Sequence, residues 1–166
     1  MIQKPCKIVG CFIAVSLFLC AYSSAQEAES VRWLTFEQLE DSLATNCGND
    51  QPKKVFIDFY TDWCTYCRKM DKVVFTKPEV INVLNEYYYA VRFDAETKAE
   101  IAFGGQIFIN DQIGKFRTPI HQIAQLLALK KGQFAPPTLV ILDEDFNVTA
   151  RYFEYLNSKQ LLNALR

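Results

Sequence analysis

Histidine, a second close pair of cysteines and any excess of basic charge are what this chain has least of. His121 is the one histidine among 166 residues. With no ligand at metal-binding spacing it reads as a surface or helix-capping residue. A structural zinc site normally draws on two closely spaced ligand pairs, and only one such pair exists here, Cys64 and Cys67. Covalent haem needs a histidine directly after the second cysteine of a pair, where this chain has Arg68. No metal or other cofactor is expected. Eighteen Lys and Arg against nineteen Asp and Glu give a formal charge of −1, so nothing recruits nucleic acid. Repeats and low-complexity tracts are absent. Half of the residues are apolar, which suits one globular domain with a sizeable core.

Residues 1–25 have the pattern of a signal peptide: Lys4 and Lys7 at the start, an apolar run from Ile8 to Ala21, and the small residues Ser23-Ser24-Ala25. That run is shorter than the roughly 20 residues of a spanning helix, so export is favoured over a retained anchor. Removing the segment takes away Lys4, Lys7 and no acid, moving the formal charge from −1 to −3. Cys6, Cys11 and Cys20 go with it. Of the three cysteines left, Cys47 is the odd one, read as a packed, inert thiol, with a second redox partner as the alternative.

What remains is organised around Asp58-Phe59-Tyr60-Thr61-Asp62-Trp63-Cys64-Thr65-Tyr66-Cys67, an apolar strand running into two cysteines that share one helical turn. Such thiols can close a small disulfide ring. Cys64 falls where the helix begins, with unpaired backbone N–H groups and the positive end of the helix dipole favouring its thiolate. Cys67, one turn deeper, is expected to be the less exposed sulfur. The spacing predicts a nucleophile at Cys64 and a resolving thiol at Cys67.

The segment from Lys54 to Tyr60 is almost continuously apolar, as in a strand covered on both faces. Burial of Asp58 within it raises the carboxyl's pKa towards neutrality and suits it to take the proton from Cys67. The alternative is an acid at a strand edge, facing water.

Strand, buried acid, Trp-Cys-x-x-Cys and helix resemble the active-site segment of the thioredoxin superfamily. The nearer likeness is to periplasmic thioredoxin-like domains such as the C-terminal domain of the transmembrane thiol:disulfide interchange protein, where Asp-Trp-Cys precedes a broken helix. Here the break is Phe75-Thr76-Lys77-Pro78-Glu79-Val80. The resemblance implies an α/β thioredoxin fold over residues 26–166, a mixed central sheet flanked by helices. It also implies a cis-proline facing the disulfide, matched by Pro137 in Pro136-Pro137-Thr138-Leu139-Val140. Trp63, Tyr66, Pro136, Pro137 and Thr138 would line the substrate-binding surface. Pro136 departs from the pattern because it has no N–H to offer a substrate strand, and Tyr66 is equally compatible with plain packing. In many relatives a lysine on the next strand approaches the buried acid. The position expected to match it is Ala90, with Arg92 two residues on.

Along the rest of the chain, a helical pattern begins at Val31, with Thr35 and Gln38 as a capping box. A second helix restarts at Pro78, and Tyr87 to Phe93 is a strand parallel to the one before Cys64. Residues 95–119 are an insertion. Gln106-Ile107-Phe108-Ile109 and Ile113-Gly114-Lys115-Phe116-Arg117 are expected to form a hairpin that either selects partners or elaborates the surface. A helix is expected from about Ile120 to Lys130, then strands from Thr138 to Leu142 and from Val148 to Phe153, and a last helix from Ser158.

These readings converge on an exported, periplasmic, monomeric thiol:disulfide oxidoreductase. Neither Thr65 nor Tyr66 is a cation that would stabilise a thiolate, which favours reduction of protein disulfides, with a membrane thiol-electron carrier as donor. Oxidase, isomerase and non-enzymatic binding module are the alternatives.

Overall fold

The computed structural model describes residues 30–45 and 52–166. The signal segment and Cys47 lie outside them. A central sheet runs in the order β1 (Trp33–Leu34), β3 (Tyr88–Asp94), β2 (Lys54–Tyr60), β8 (Thr138–Leu142), β9 (Val148–Tyr152). The first three strands are parallel, whereas β8 runs antiparallel to β2, and β9 antiparallel to β8. This is the mixed sheet implied by the resemblance.

The strands explain their own burial. Side chains alternate across a pleated strand, so Phe56 and Asp58 of β2 point to one face while Val55, Ile57 and Phe59 point to the other. Both faces are covered. Under the helices α2 (Thr65–Val73), α3 (Pro78–Tyr87) and α5 (Ser158–Ala164) lie Phe56, Met70, Val80, Leu84, Leu139 and Leu161. Beneath α1 (Phe36–Thr45) and α4 (Gln122–Leu127) lie Phe36, Leu39, Ile57, Phe59, Val91 and Ile123. Each of the largest side chains contributes roughly 1.5–3 kcal/mol by burial.

Local signals fix the helix ends. Thr35 Oγ1 accepts from the Gln38 N–H at 3.2 Å and Gln38 Oε1 accepts from the Thr35 N–H at 2.9 Å, the capping box read in the sequence. Helix α1 therefore starts at Phe36, not near Val31, because Trp33–Leu34 pairs with Ala90 and Val91 as an edge strand. Pro78 lacks the N–H needed to continue α2 and opens α3 at its first position.

The insertion differs from expectation in register. Its hairpin pairs β4 (Ile101–Phe103) with β5 (Gln106–Phe108), turning at Gly104 and Gly105, both at positive φ, so Ile113 to Arg117 take no part. Two consecutive positive-φ residues match the strand twist, which Asn110-Asp111 does not supply at this place. Helix α4 is likewise shorter than expected. Leu129–Lys130 and Gln133–Phe134 form a second hairpin (β6 and β7) around Lys131 and Gly132, again both at positive φ. An apolar run that fits a helix also fits a short strand, and the turn decides.

Candidate functional site

Strand β2 ends at Tyr60, and the chain turns through Thr61-Asp62-Trp63 into α2. The Cys64 N–H donates to the Thr61 carbonyl at 3.1 Å, closing that turn. Cys64 caps α2 with extended backbone, φ −70° and ψ 104°. Its Sγ accepts from the Cys67 N–H at 3.0 Å, one of the helix's otherwise unpaired donors. Cys64 and Cys67 are joined in a disulfide with Cα atoms 5.3 Å apart, within the usual range. The expected difference in exposure is absent: both cysteines are 3% exposed. What distinguishes them is the N–H aimed at Cys64, not solvent access.

Asp58 is 2% exposed and lies on the sheet face that α2 covers, which settles the strand-edge alternative. Burial pushes its carboxyl up to about 7, against the pull of Arg92 and with a smaller push from Asp71. The expected cation position needs correction. Parallel pairing sets Asp58 opposite Arg92, whereas Ala90 stands opposite Phe56. Arg92 Nε lies 3.7 Å from Asp58 Oδ2, beyond hydrogen-bond distance, while Arg92 Nη2 donates to Asp71 Oδ2 at 2.7 Å. The guanidinium also rests over the Tyr60 ring, 4.5 Å from its centroid. The cation is thus shared by two carboxylates and committed more closely to the outer one. Among the described residues Asp58 Oδ1 has no hydrogen-bond partner.

The aromatic residues beside the disulfide are exposed, Trp63 by 57% and Tyr66 by 59%. The Trp63 indole N–H donates to both carboxylate oxygens of Glu96, at 3.0 and 3.2 Å. Glu96 belongs to an acidic group with Asp62 and Asp94, and the Asp94 carboxyl is raised by burial and by these two neighbours. Tyr66 leans on Tyr155, ring centroids 6.0 Å apart. Phe59 pairs with Thr138, so the end of β2 that leads to Cys64 lies beside the start of β8. The Pro136–Pro137 bond is cis, and the Thr138 hydroxyl donates to the Ala135 carbonyl at 2.9 Å.

His121 is not a surface residue. It is fully buried against Phe93, and Nδ1 accepts from the Ile123 N–H at 3.2 Å, capping α4. Burial lowers its pKa, with the Phe108 and Ala99 carbonyls and Asp111 opposing. Among the described residues no group of three or more His, Cys, Asp or Glu side chains could hold a metal ion, and no helix is long and apolar enough to cross a membrane.

Sequence reasoning missed Asp71, Glu96 and Tyr155. Asp71 could have been found, because it lies four residues after Cys67 and so on the same helix face. Nothing local marks the other two, which reach the site only through the fold.

The geometry has parallels. The thiol:disulfide interchange protein DsbD of Colwellia psychrerythraea is 30% identical over 83 residues, 48% of this chain and 13% of that protein. The chain thus spans a small part of the curated relatives it matches. A thioredoxin from Thermus thermophilus superposes with a TM-score of 0.55 at 21% identity, covering 82% of this chain and 85% of the other. The C-terminal domain of DsbD from Neisseria meningitidis, in its oxidised form, does so with 0.50 at 18% identity, covering 80% and 94%. The sequence model of the thioredoxin-like domain matches residues 39–166, and on that match, with the sheet and disulfide above, the chain belongs to the thioredoxin-like family.

Proposed function

We propose that this protein is an exported thiol:disulfide oxidoreductase that reduces protein disulfides through the Cys64–Cys67 couple. The observation that carries the reading is a disulfide at a helix N-terminus, with the Cys67 N–H on Cys64 Sγ, in a domain whose adjoining strand buries an acid poised near pH 7.

In the reduced protein the Cys64 thiolate attacks one sulfur of a partner disulfide. A Cys64–partner bond forms, the partner's sulfur–sulfur bond breaks, and the first partner thiolate leaves. Asp58 accepts the proton of Cys67. The new Cys67 thiolate then attacks Cys64 Sγ, closing the internal disulfide and releasing the second partner thiolate. Two electrons pass from the protein to the partner. Return to the dithiol needs a dithiol donor, for which a membrane thiol-electron carrier is the proposed class. DsbD, named a thiol:disulfide interchange protein, supports this chemistry.

Reduction is favoured over oxidation because a strong oxidant needs a stabilised thiolate. Here neither residue between the cysteines, Thr65 or Tyr66, is a cation, and Arg92 is held by Asp71. Periplasmic location and a monomeric state belong to the same reading. Its test is the reduction potential of the pair, measured by equilibration with dithiol buffers in a Cys47→Ala background. A value near about −270 mV marks a reductase and one near about −120 mV an oxidase. Absence of any reversible dithiol couple would leave the binding-module reading in its place.

A further inference from the structure

Three segments bring an aromatic and cationic cluster together beside the redox helix: α2, the β9–α5 connection and the β6–β7 hairpin. Tyr66, between the two cysteines in sequence, meets Tyr155. The Lys69 ammonium lies 4.7 Å from the centroid of that Tyr155 ring. Two residues earlier in the same β9–α5 connection, Phe153 carries the Lys130 ammonium, 5.4 Å from its centroid. Lys130 belongs to the β6–β7 hairpin, which leads directly into Pro136 and Pro137 and carries exposed Lys131 at its tip.

Both lysines are exposed, and among the described residues neither has a carboxylate within ion-pair distance. Glu154, between the two rings in sequence, is exposed and pairs with neither. The rings hold the ammoniums in place without neutralising them, because attraction to an aromatic face leaves the full positive charge available to a third group. On the Trp63 side stand exposed Asp62 and half-buried Asp94 and Glu96, with the Arg68 guanidinium donating to the Asp62 carbonyl. The Tyr155 side of the disulfide is therefore cationic although the chain's formal net charge is negative, −1 over all 166 residues.

We propose that Tyr66, Lys69, Lys130, Phe153 and Tyr155 form a docking rim that selects protein disulfides flanked by an acidic segment. This rests on the oxidoreductase reading and names the substrate class for the same site. The partner's carboxylates meet Lys69 and Lys130, and its apolar side chains cover the Tyr66, Tyr155 and Phe153 rings. Complementary charge of this kind raises the rate of productive encounter and fixes the direction in which a chain lies across the sulfurs.

The test uses the exported protein from Gln26 onward with Cys47→Ala, reduced and freed of reductant, and two disulfide-looped peptides equal in length, one flanked by glutamates and the other by lysines. Each single turnover converts the protein dithiol to its disulfide and the peptide disulfide to two thiols. The ratio of the two second-order rate constants is insensitive to losses of folding or thiol reactivity, which affect both peptides alike. The acidic peptide is expected to react about tenfold faster at low salt, with the ratio falling towards one at high salt. Lys69→Gln/Lys130→Gln should bring the low-salt ratio near one, and Lys69→Glu/Lys130→Glu should invert it. Equal rates at low salt, faster reaction of the basic peptide, or a ratio that survives charge reversal would each overturn the rim. Reaction with neither peptide would overturn the oxidoreductase reading itself, and the rim with it.

Discussion

Ile57 and Asp58 are neighbours on β2, equally buried, and face opposite sides of one sheet. The face that Ile57 enters is closed by α1 and α4 with apolar side chains and a neutral, capping His121. The face that Asp58 enters is closed by the redox helix and holds an acid, a shared cation and a second acid. One side gains from burial and the other loses by it. The ionised carboxylate is destabilised in the fold, so the second face gives up stability at neutral pH, and in the proposed mechanism what it holds in return is the proton acceptor for Cys67.

The largest test of this contrast is covalent. Cys67→Ser should lower multiple turnover by at least about 1,000-fold and trap partners on Cys64 as mixed disulfides, visible on non-reducing gels. Ile57→Ala, on the other face, should cost about 2–5 kcal/mol by urea denaturation and leave the reduction potential of the pair in place. Asp58→Asn should act with the opposite sign. A buried carboxyl raised to about 7 lends the fold stability that is complete below its unfolded value of 3.8 and is lost as the pH rises through 7. The Asn variant should thus be more stable than the parent at pH 8, by an amount on the order of 4 kcal/mol at most. It should match the parent below pH 4, in paired thermal melts. Its reduction of protein disulfides should slow about 100-fold at pH 7, the scale of a lost general base. Arg92→Gln removes the cation that pulls Asp58 down, so the midpoint of the pH–rate profile should move above the parent's. The smallest effect belongs to Glu96→Gln, which keeps an acceptor for the indole but removes its charge. A small shift in Trp63 emission is expected, and a midpoint change as large as that of Arg92→Gln would mean that the acidic group reaches the proton acceptor.

The β2 segment was legible because its signals are local: a continuous apolar run, one acid within it, and two cysteines at one helical turn. So were the capping box at Thr35 and the helix break at Pro78. The pairing of Arg92 with Asp58 was not, because the register between parallel strands joined by a long crossover is set by packing of the intervening helices; Arg92 was named only as the nearest cation, two residues beyond the expected position Ala90. The insertion hairpin was misplaced for a related reason. The hairpin was expected on either side of Asn110-Asp111, whereas the turn falls at Gly104-Gly105, where two glycines take the positive φ that the strand twist requires. Thiol exposure failed on other grounds, since burial of Cys64 depends on neighbours from distant segments and not on its place in the helix.

Residue 95 joins the insertion to the redox strand. The Ala95 N–H donates to the Tyr60 carbonyl at 2.9 Å, and the Ala95 carbonyl accepts from the His121 N–H at 2.8 Å. The two ends of the excursion are already in contact. The excursion between them is nevertheless built into the core: Ile101, Phe103 and Phe108 pack beneath α1 and α4, and the Phe103 ring stands 5.4 Å from that of Phe36. Excising it would spare Glu96 and its hold on the Trp63 indole but strip apolar cover from the far face of the sheet, so the excursion braces the domain from the side away from Asp58.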